Sequence, residues 1–234
     1  MTPFRLAFVP GVTPSKWARV WVERKPGHPL ELLRTEAGAA EPAVRDGEAD
    51  AALLRLPVDR EVLHAIPLYT EVTVAVLPKD HFLAAADELA LADIADELVL
   101  HPHDDTLDWP HPPGKPVEHR PDTVADAVEL VAAGLGLLLV PQSLARLHHR
   151  RDLTYRPVEG VPQSQVALSW PRSTESDDIE DLIGIVRGRT ENSSRGRQTA
   201  QAAKPDRKPD PKRKRTPPPP AKRPKPKRPK PKRR

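Results

Sequence analysis

The chain has 234 residues, of which 30 are proline and none is cysteine, and its formal net charge is only +4. Sixteen of the 37 basic residues but only two of the 33 acidic residues lie at 204–234, so that segment carries +14 and the rest carries −10. The absence of cysteine excludes a disulfide framework, a thiolate metal site and a cysteine nucleophile. An acidic body joined to a basic segment points to a polyanionic partner.

The first part of the body predicts alternating strands and helices. The predicted order is strand 4–9, a helix from about 15 onward, strand 30–33, helix 39–47 and strand 50–54. Thr13-Pro14-Ser15 offers an N-cap for the first helix, in which Trp17, Val20 and Trp21 share one face. The nearly all-apolar strand 50–54 is typical of a strand buried on both faces, which favours a doubly wound α/β lobe.

The remaining body repeats this alternation and predicts a second lobe. Its elements are strands 65–69 and 72–77, helix 91–96, strand 97–101, polar loop 102–121, helix 124–133, strand 137–140, helix 143–149, strand 165–170 and helix 179–189. Two crossings between the lobes would create a hinge and an interlobe cleft. The predicted fold is therefore α/β with two Rossmann-like lobes, lobe I at about 1–70 and 150–190 and lobe II at about 71–149. No apolar run approaches the ~20 residues that span a bilayer, and no signal peptide is recognisable, so we expect a cytoplasmic protein without membrane contact.

Four stretches of the body carry a resemblance to a known family. They are FRLAFVPG at 4–11, VRDGEADAALL at 44–54, LPKDH at 77–81 with LADIA at 91–95, and VAAGLGLLLVP at 131–141. In this order they resemble the substrate-binding (effector) domain of LysR-type transcriptional regulators, which has the type 2 periplasmic-binding-protein fold. The family's members begin with a winged helix-turn-helix and a linker helix, whereas three residues precede the first strand here. The resemblance implies transcription regulation, a small-molecule effector and a possible homodimer.

The ligand predictions follow from the ends of the predicted strands and helices. Thr13, Ser15 and Lys16 lie where the first helix begins, and its free N–H groups and dipole favour an anion such as a small organic acid or an inorganic anion. Thr123 would face them from the second lobe, and His101 follows a strand. Asp122 or Thr123 is also predicted to cap the helix at 124. The alternative to the ligand site is that Thr13 or Ser15 is only an N-cap.

Other chemistry is weakly indicated. The histidines and aspartates of loop 102–121 have irregular spacing between prolines, so we expect a solvated loop and no metal. The sequence has no Gly-x-Ser-x-Gly and no P-loop, and Gly134-x-Gly136 lacks the third glycine of a dinucleotide site. We therefore expect neither an enzyme nor a cofactor.

The segment 191–234 is predicted to be disordered, because proline removes backbone donors and like charges repel. Lysine and arginine spaced by proline form an extended cationic ladder that would neutralise phosphates of DNA or RNA without reading sequence. The predicted nucleic-acid contacts are Lys212, Arg213, Lys214, Arg215, Lys222, Arg223, Lys225, Lys227, Arg228, Lys230, Lys232, Arg233 and Arg234. Alternatives for this tail are a role in solubility, contact with an acidic protein or contact with a membrane surface.

Two functional hypotheses remain open. In the first, a LysR-type sensing module without its own helix-turn-helix is tethered to nucleic acid by the basic tail. In the second, the chain is a nucleoid- or RNA-associated protein whose body is only a dimerisation scaffold. An extracytoplasmic solute receptor is a third possibility, which the lack of a signal peptide disfavours.

Overall fold

The computed structural model describes residues 2–189, and Met1 and residues 190–234 lie outside the described part. The predicted basic tail, with every predicted nucleic-acid contact, falls on those undescribed residues. The strands are β1 (Phe4–Phe8), β2 (Leu30–Arg34), β3 (Ala51–Arg55), β4 (Leu63–Glu71), β5 (Thr73–Pro78), β6 (Leu98–Leu100), β7 (Lys115–Pro116), β8 (Leu137–Pro141), β9 (Leu153–Pro157) and β10 (Ser164–Pro171). The α-helices are α1 (Ser15–Arg24), α2 (Ala40–Arg45), α3 (Val124–Ala132), α4 (Gln142–Leu147) and α5 (Asp177–Val186). Short 3-10 turns lie at Ala37–Ala39, Phe82–Ala85 and Leu91–Ile94.

The first lobe contains a five-stranded sheet in the order β2-β1-β3-β10-β4. Strand β1 pairs in parallel with β2 and β3, as the predicted alternation of strands and helices requires. Strand β10 is antiparallel to both β3 and β4, so the sheet is mixed. Every residue of β3 is buried, which is the burial pattern that its apolar sequence predicts.

The second lobe contains a sheet in the order β7-β6-β8-β5-β9. No strand is predicted between 150 and 164, and this segment is predicted to belong to the first lobe, whereas β9 pairs with β5 in the second sheet. The chain therefore returns to the first lobe between β9 and β10, later than the predicted boundary at 149–150. Only Leu153 of β9 is fully buried, so this edge strand has no apolar run by which its sequence could reveal it.

Alternating residues of the central strands supply a core on each face of the second sheet. In β5, Val74 and Val76 face the cluster that α3 and α4 cover, whereas Ala75 and Leu77 face a cluster on the opposite side. The first lobe has one large cluster around β1 and β3, which α1, α2 and α5 cover. Each lobe is thus a packed unit of its own, and this arrangement leaves the space between the lobes for a site.

Candidate ligand-binding site

A cavity of about 270 Å³ lies between the two lobes. The first lobe contributes residues at or just beyond the carboxyl ends of its three parallel strands: Pro10, Arg34, Glu36, Ala37 and Arg55. The second lobe contributes Asp104, Thr106, Thr123, Val124, Ala125, Leu144 and His148. The carboxyl ends of parallel strands are the usual place for ligands in open α/β sheets.

Arg55, which lines this cavity, connects three segments of the chain. Its guanidinium pairs with Glu71 at 3.0 Å, and the two side chains are only 4% and 7% exposed. Nη1 donates to the carbonyl oxygen of Pro10 at 2.9 Å, and Nη2 donates to Ser143 Oγ at 3.0 Å. Because Arg55 belongs to β3 and Ser143 to α4, this side chain ties the first lobe to the second.

Gly11 allows the β1–α1 loop to approach that contact. Its φ is +83°, a backbone conformation that side-chain-bearing residues rarely adopt. A Cβ atom at this position would lie 2.5 Å from Ser143 Oγ and 3.0 Å from Arg55 Nη2. The close contact between the lobes therefore requires glycine at position 11, just after the first predicted strand.

The N-terminus of α3 faces the cavity from the second lobe. Thr123 is its N-cap, as predicted: the hydroxyl accepts from the Asp126 N–H at 3.1 Å and donates to Asp126 Oδ2 at 2.7 Å. The Asp104 carboxylate accepts from the Val124 N–H at 2.7 Å. The protein's own side chains thus already fill part of the anion-binding capacity of this helix terminus.

Partial burial shifts two of the titratable groups along the cavity. Although Asp104 is exposed as a residue, desolvation of its carboxylate raises its pKa, against the effect of the hydrogen bond from Val124. Burial likewise lowers the pKa of His148, which also senses the charges of Asp104, Arg34 and Glu36. These four groups are therefore close enough to interact electrostatically across the cavity.

The remaining predicted ligand residues occupy other places. Thr13, Ser15 and Lys16 are exposed at the start of α1, and none of them lines the interlobe cavity. The N-cap of α1 is Pro14, whose carbonyl accepts from the N–H groups of Trp17 and Ala18, and no side chain caps this helix. The two hydroxyls therefore do not serve as caps, and a ligand role for them stays a prediction.

His101 has a structural environment. Its Nε2 lies 3.3 Å from the carbonyl oxygen of Pro113, and its ring is T-shaped to that of Trp109, with the centroids 6.4 Å apart. Arg120 donates to the carbonyl oxygens of His101 and Pro102, which holds the loop against the end of β6. His101 is absent from the lining of the cavity, so of the five predicted ligand residues the cavity includes Thr123 alone.

Sequence reasoning missed the charged lining of the cavity. Arg34 and Arg55 are the last residues of β2 and β3, and Asp104 follows β6 by four positions. A search for the first polar residue after each buried strand would have found Arg55. It would not have found His148, whose place depends on how α4 packs between the lobes.

Replacement of His148 by glutamine tests the electrostatics of the cavity. Because the pKa of His148 is lower in the folded protein than in the unfolded chain, protonation below about pH 6.5 favours the unfolded chain. The free energy of unfolding is therefore highest above that pH and decreases as the pH falls toward the folded-state pKa. The free energy of unfolding should therefore fall less between pH 7.5 and 5.5 in His148→Gln than in the parent chain. Urea unfolding at the two pH values measures this, and equal falls would contradict the placement of His148.

Residues 2–189 contain no group of three or more histidine, aspartate and glutamate side chains placed to hold a metal ion. No helix in that range is long and apolar enough to cross a membrane.

Comparison with known proteins places the chain in a family. Residues 3–191 match the LysR substrate binding domain. The Probable hydrogen peroxide-inducible genes activator of Mycobacterium avium is 32% identical over 197 residues, which are 78% of this chain and 63% of that protein. The HTH-type transcriptional regulator IlvR of Caulobacter vibrioides is 30% identical over 181 residues, which are 72% of this chain and 60% of that protein. The chain thus spans about 60% of the length of these relatives.

Solved structures show the same fold. The oxidized form of OxyR superposes with a TM-score of 0.67 at 21% identity, covering 82% of this chain and 97% of that one. The BenM effector binding domain with its effector benzoate gives a TM-score of 0.64 at 23% identity, covering 83% of this chain and 93% of that one. These neighbours confirm the two-lobed architecture predicted from the sequence. The match over residues 3–191 shows that the chain belongs to the LysR substrate-binding-domain family.

Proposed function

We propose that the body is a non-enzymatic effector-binding module that binds a small molecule in the interlobe cavity and takes part in transcription regulation. The observation that carries this proposal is a cavity of about 270 Å³ whose lining comes from both lobes. A ligand that contacts both walls binds better when the lobes are close together, so it shifts the population toward the closed form. Arg55 and Ser143, which already join the lobes, would transmit that shift.

The relatives named above are transcriptional regulators or activators, which supports a regulatory role rather than catalysis. One of them is named for hydrogen peroxide, but this chain contains no cysteine. A thiol-based redox switch within this chain is therefore excluded. A reversibly bound molecule is the signal that the geometry supports best.

A cavity-filling variant tests the site. Ala125 is exposed on the first turn of α3 and lines the cavity, whereas Ala133 is exposed at the other end of this helix, outside the lining. A panel of organic acids, inorganic anions and amino acids should contain a compound that stabilises the chain by about 2.7 kcal/mol at 100 times its Kd. For a domain of this size, that corresponds to a rise in Tm of roughly 5–10 °C.

The stabilisation should disappear in Ala125→Trp and persist in Ala133→Trp. If no compound stabilises the chain, or if Ala125→Trp responds like the parent, the interlobe cavity is not the effector site. The alternative of a scaffold body with a nucleic-acid-binding tail would then gain weight.

For the tail, we propose non-specific contact with DNA or RNA. The support is its charge of +14 between 204 and 234, since each neutralised phosphate releases counterions. The full-length chain should lose affinity for duplex DNA by about a thousandfold or more between 50 and 200 mM salt, as expected for six or more phosphate contacts. A chain ending at 197 should bind far more weakly, and equal affinity of the two chains or a flat salt dependence would refute the contact. The possible homodimer stays a prediction, which light scattering of the full-length chain would test.

A further inference from the structure

The charges that line the interlobe cavity have both signs. Arg34 is the cation available to a ligand, because the buried Glu71 neutralises the other lining cation, Arg55. Within residues 2–189, neither Arg34 nor Glu36 makes a side-chain hydrogen bond or an ion pair. Asp104 adds a second carboxylate on the opposite wall. A ligand with only an acid group would therefore meet two carboxylates as well as one guanidinium.

The second-lobe wall is particularly unsuited to an anion. The Val124 N–H group at the start of α3 already donates to Asp104, and the Thr123 hydroxyl is engaged with Asp126. An acid group that reached this helix terminus would have to displace the Asp104 carboxylate or lie beside it, and like charges at such distances repel. A protonated amine would instead be attracted to the Asp104 carboxylate, which lines the cavity.

The other groups in the lining are compatible with a short apolar ligand. Val124, Leu144 and Ala37 provide an aliphatic wall, and the volume suits a molecule with the size of an amino acid. The Thr106 hydroxyl is buried and has no hydrogen-bond partner, so it provides an additional polar contact.

We propose that the effector is a zwitterion of amino-acid type. Its protonated amine would pair with Asp104 and Glu36, its acid group with Arg34, and its short apolar side chain would lie against Val124 and Leu144. This inference rests on the proposed function and narrows the expected ligand from any small organic acid or inorganic anion to one that also carries an amine.

Isothermal titration of the full-length chain with two matched trios tests this inference. The first trio is leucine, 4-methylpentanoate and 3-methylbutylamine; the second is phenylalanine, 3-phenylpropanoate and 2-phenylethylamine. The acid lacks the amine of its parent amino acid and the amine lacks the carboxylate, while the skeleton is kept. In at least one trio, the amino acid should bind about tenfold or more tightly than either partner, as expected for the loss of one charge-assisted hydrogen bond.

Two variants make the assignment specific. Asp104→Asn keeps an oxygen that can accept from the Val124 N–H group but removes the charge. It should therefore lower the affinity for the amino acid about 10- to 100-fold. The same substitution should leave the affinity for the acid without an amine nearly unchanged or raise it. Asp80→Asn makes the same chemical change at an exposed position outside the cavity lining and should leave all affinities unchanged.

The inference would be overturned if the acid without an amine bound more tightly than the amino acid, or if Asp104→Asn left the affinity for the amino acid unchanged. Either result would still leave the cavity as a ligand site. No binding by any of the six compounds would also overturn it, and the broader panel described above then decides the proposed function separately.

Discussion

Replacement of Arg55 by alanine should lower the free energy of unfolding by about 3–5 kcal/mol, because it leaves Glu71 charged, buried and unpaired. The two side chains are 4% and 7% exposed, so the Glu71 carboxylate has little contact with water to offset the lost partner. The same change removes the hydrogen bonds from Arg55 to Pro10 and Ser143. Since whole domains are stable by only about 5–15 kcal/mol, this is a large effect, which urea unfolding measures directly.

The double variant Arg55→Met with Glu71→Leu is the control. Apolar replacement of both members of a buried ion pair is often nearly neutral, so the double variant should be clearly more stable than Arg55→Ala. It should nevertheless lose the link between Pro10 and Ser143, and with it part of the coupling between the lobes. If Arg55→Ala unfolds within about 0.5 kcal/mol of the parent, as surface substitutions do, the pair is not buried as described.

Replacement of Trp21 by alanine should cost about 3–5 kcal/mol, the usual range for loss of a large core aromatic residue. Trp21 has no exposed surface, stacks on Phe4 with ring centroids 4.9 Å apart, and donates from Nε1 to the carbonyl oxygen of His28 at 3.0 Å. It is the only fully buried residue of α1 and anchors this helix on the first sheet. Without it, the loop that leads from β1 into α1 beside the cavity should also lose order.

The neighbouring residue provides a matched control on the same helix. Val22 is 61% exposed, so Val22→Ala should change the free energy of unfolding by less than about 0.5 kcal/mol. Equal effects of the two substitutions in denaturant unfolding would contradict the orientation of α1.

Most of the fold could be predicted because buried helices and strands place apolar residues at regular spacings in the sequence. The apolar run of β3 and the stripe of Val124, Val128 and Val131 on α3 indicate their elements directly. Strand β9 could not be predicted, since it lies at a sheet edge and buries a single leucine, which is too few apolar residues to form a recognisable pattern. Because this strand was not predicted, the predicted return to the first lobe came too early in the chain.

The candidate site could be predicted only in outline. The two crossings between the lobes predict the cleft, and the capping role of Thr123 follows from its residue type. The residues predicted from helix termini and strand ends share only Thr123 with the cavity lining. The charge of the cavity could not be predicted, because Glu36, Asp104 and His148 lie far apart in sequence and are brought together only by packing of the lobes. The occupied N-terminus of α3 could not be predicted either, because the hydrogen bond from the Val124 N–H group to Asp104 joins residues 20 positions apart in sequence.

The central claim is that a small molecule binds between the lobes, and a crystal structure with the compound that gives the largest rise in Tm tests it most directly. We expect electron density for that compound within the cavity of about 270 Å³, with one polar group near Arg34 and another near Asp104. Density for the compound at any other place on the body, with the cavity free of it, would contradict the account.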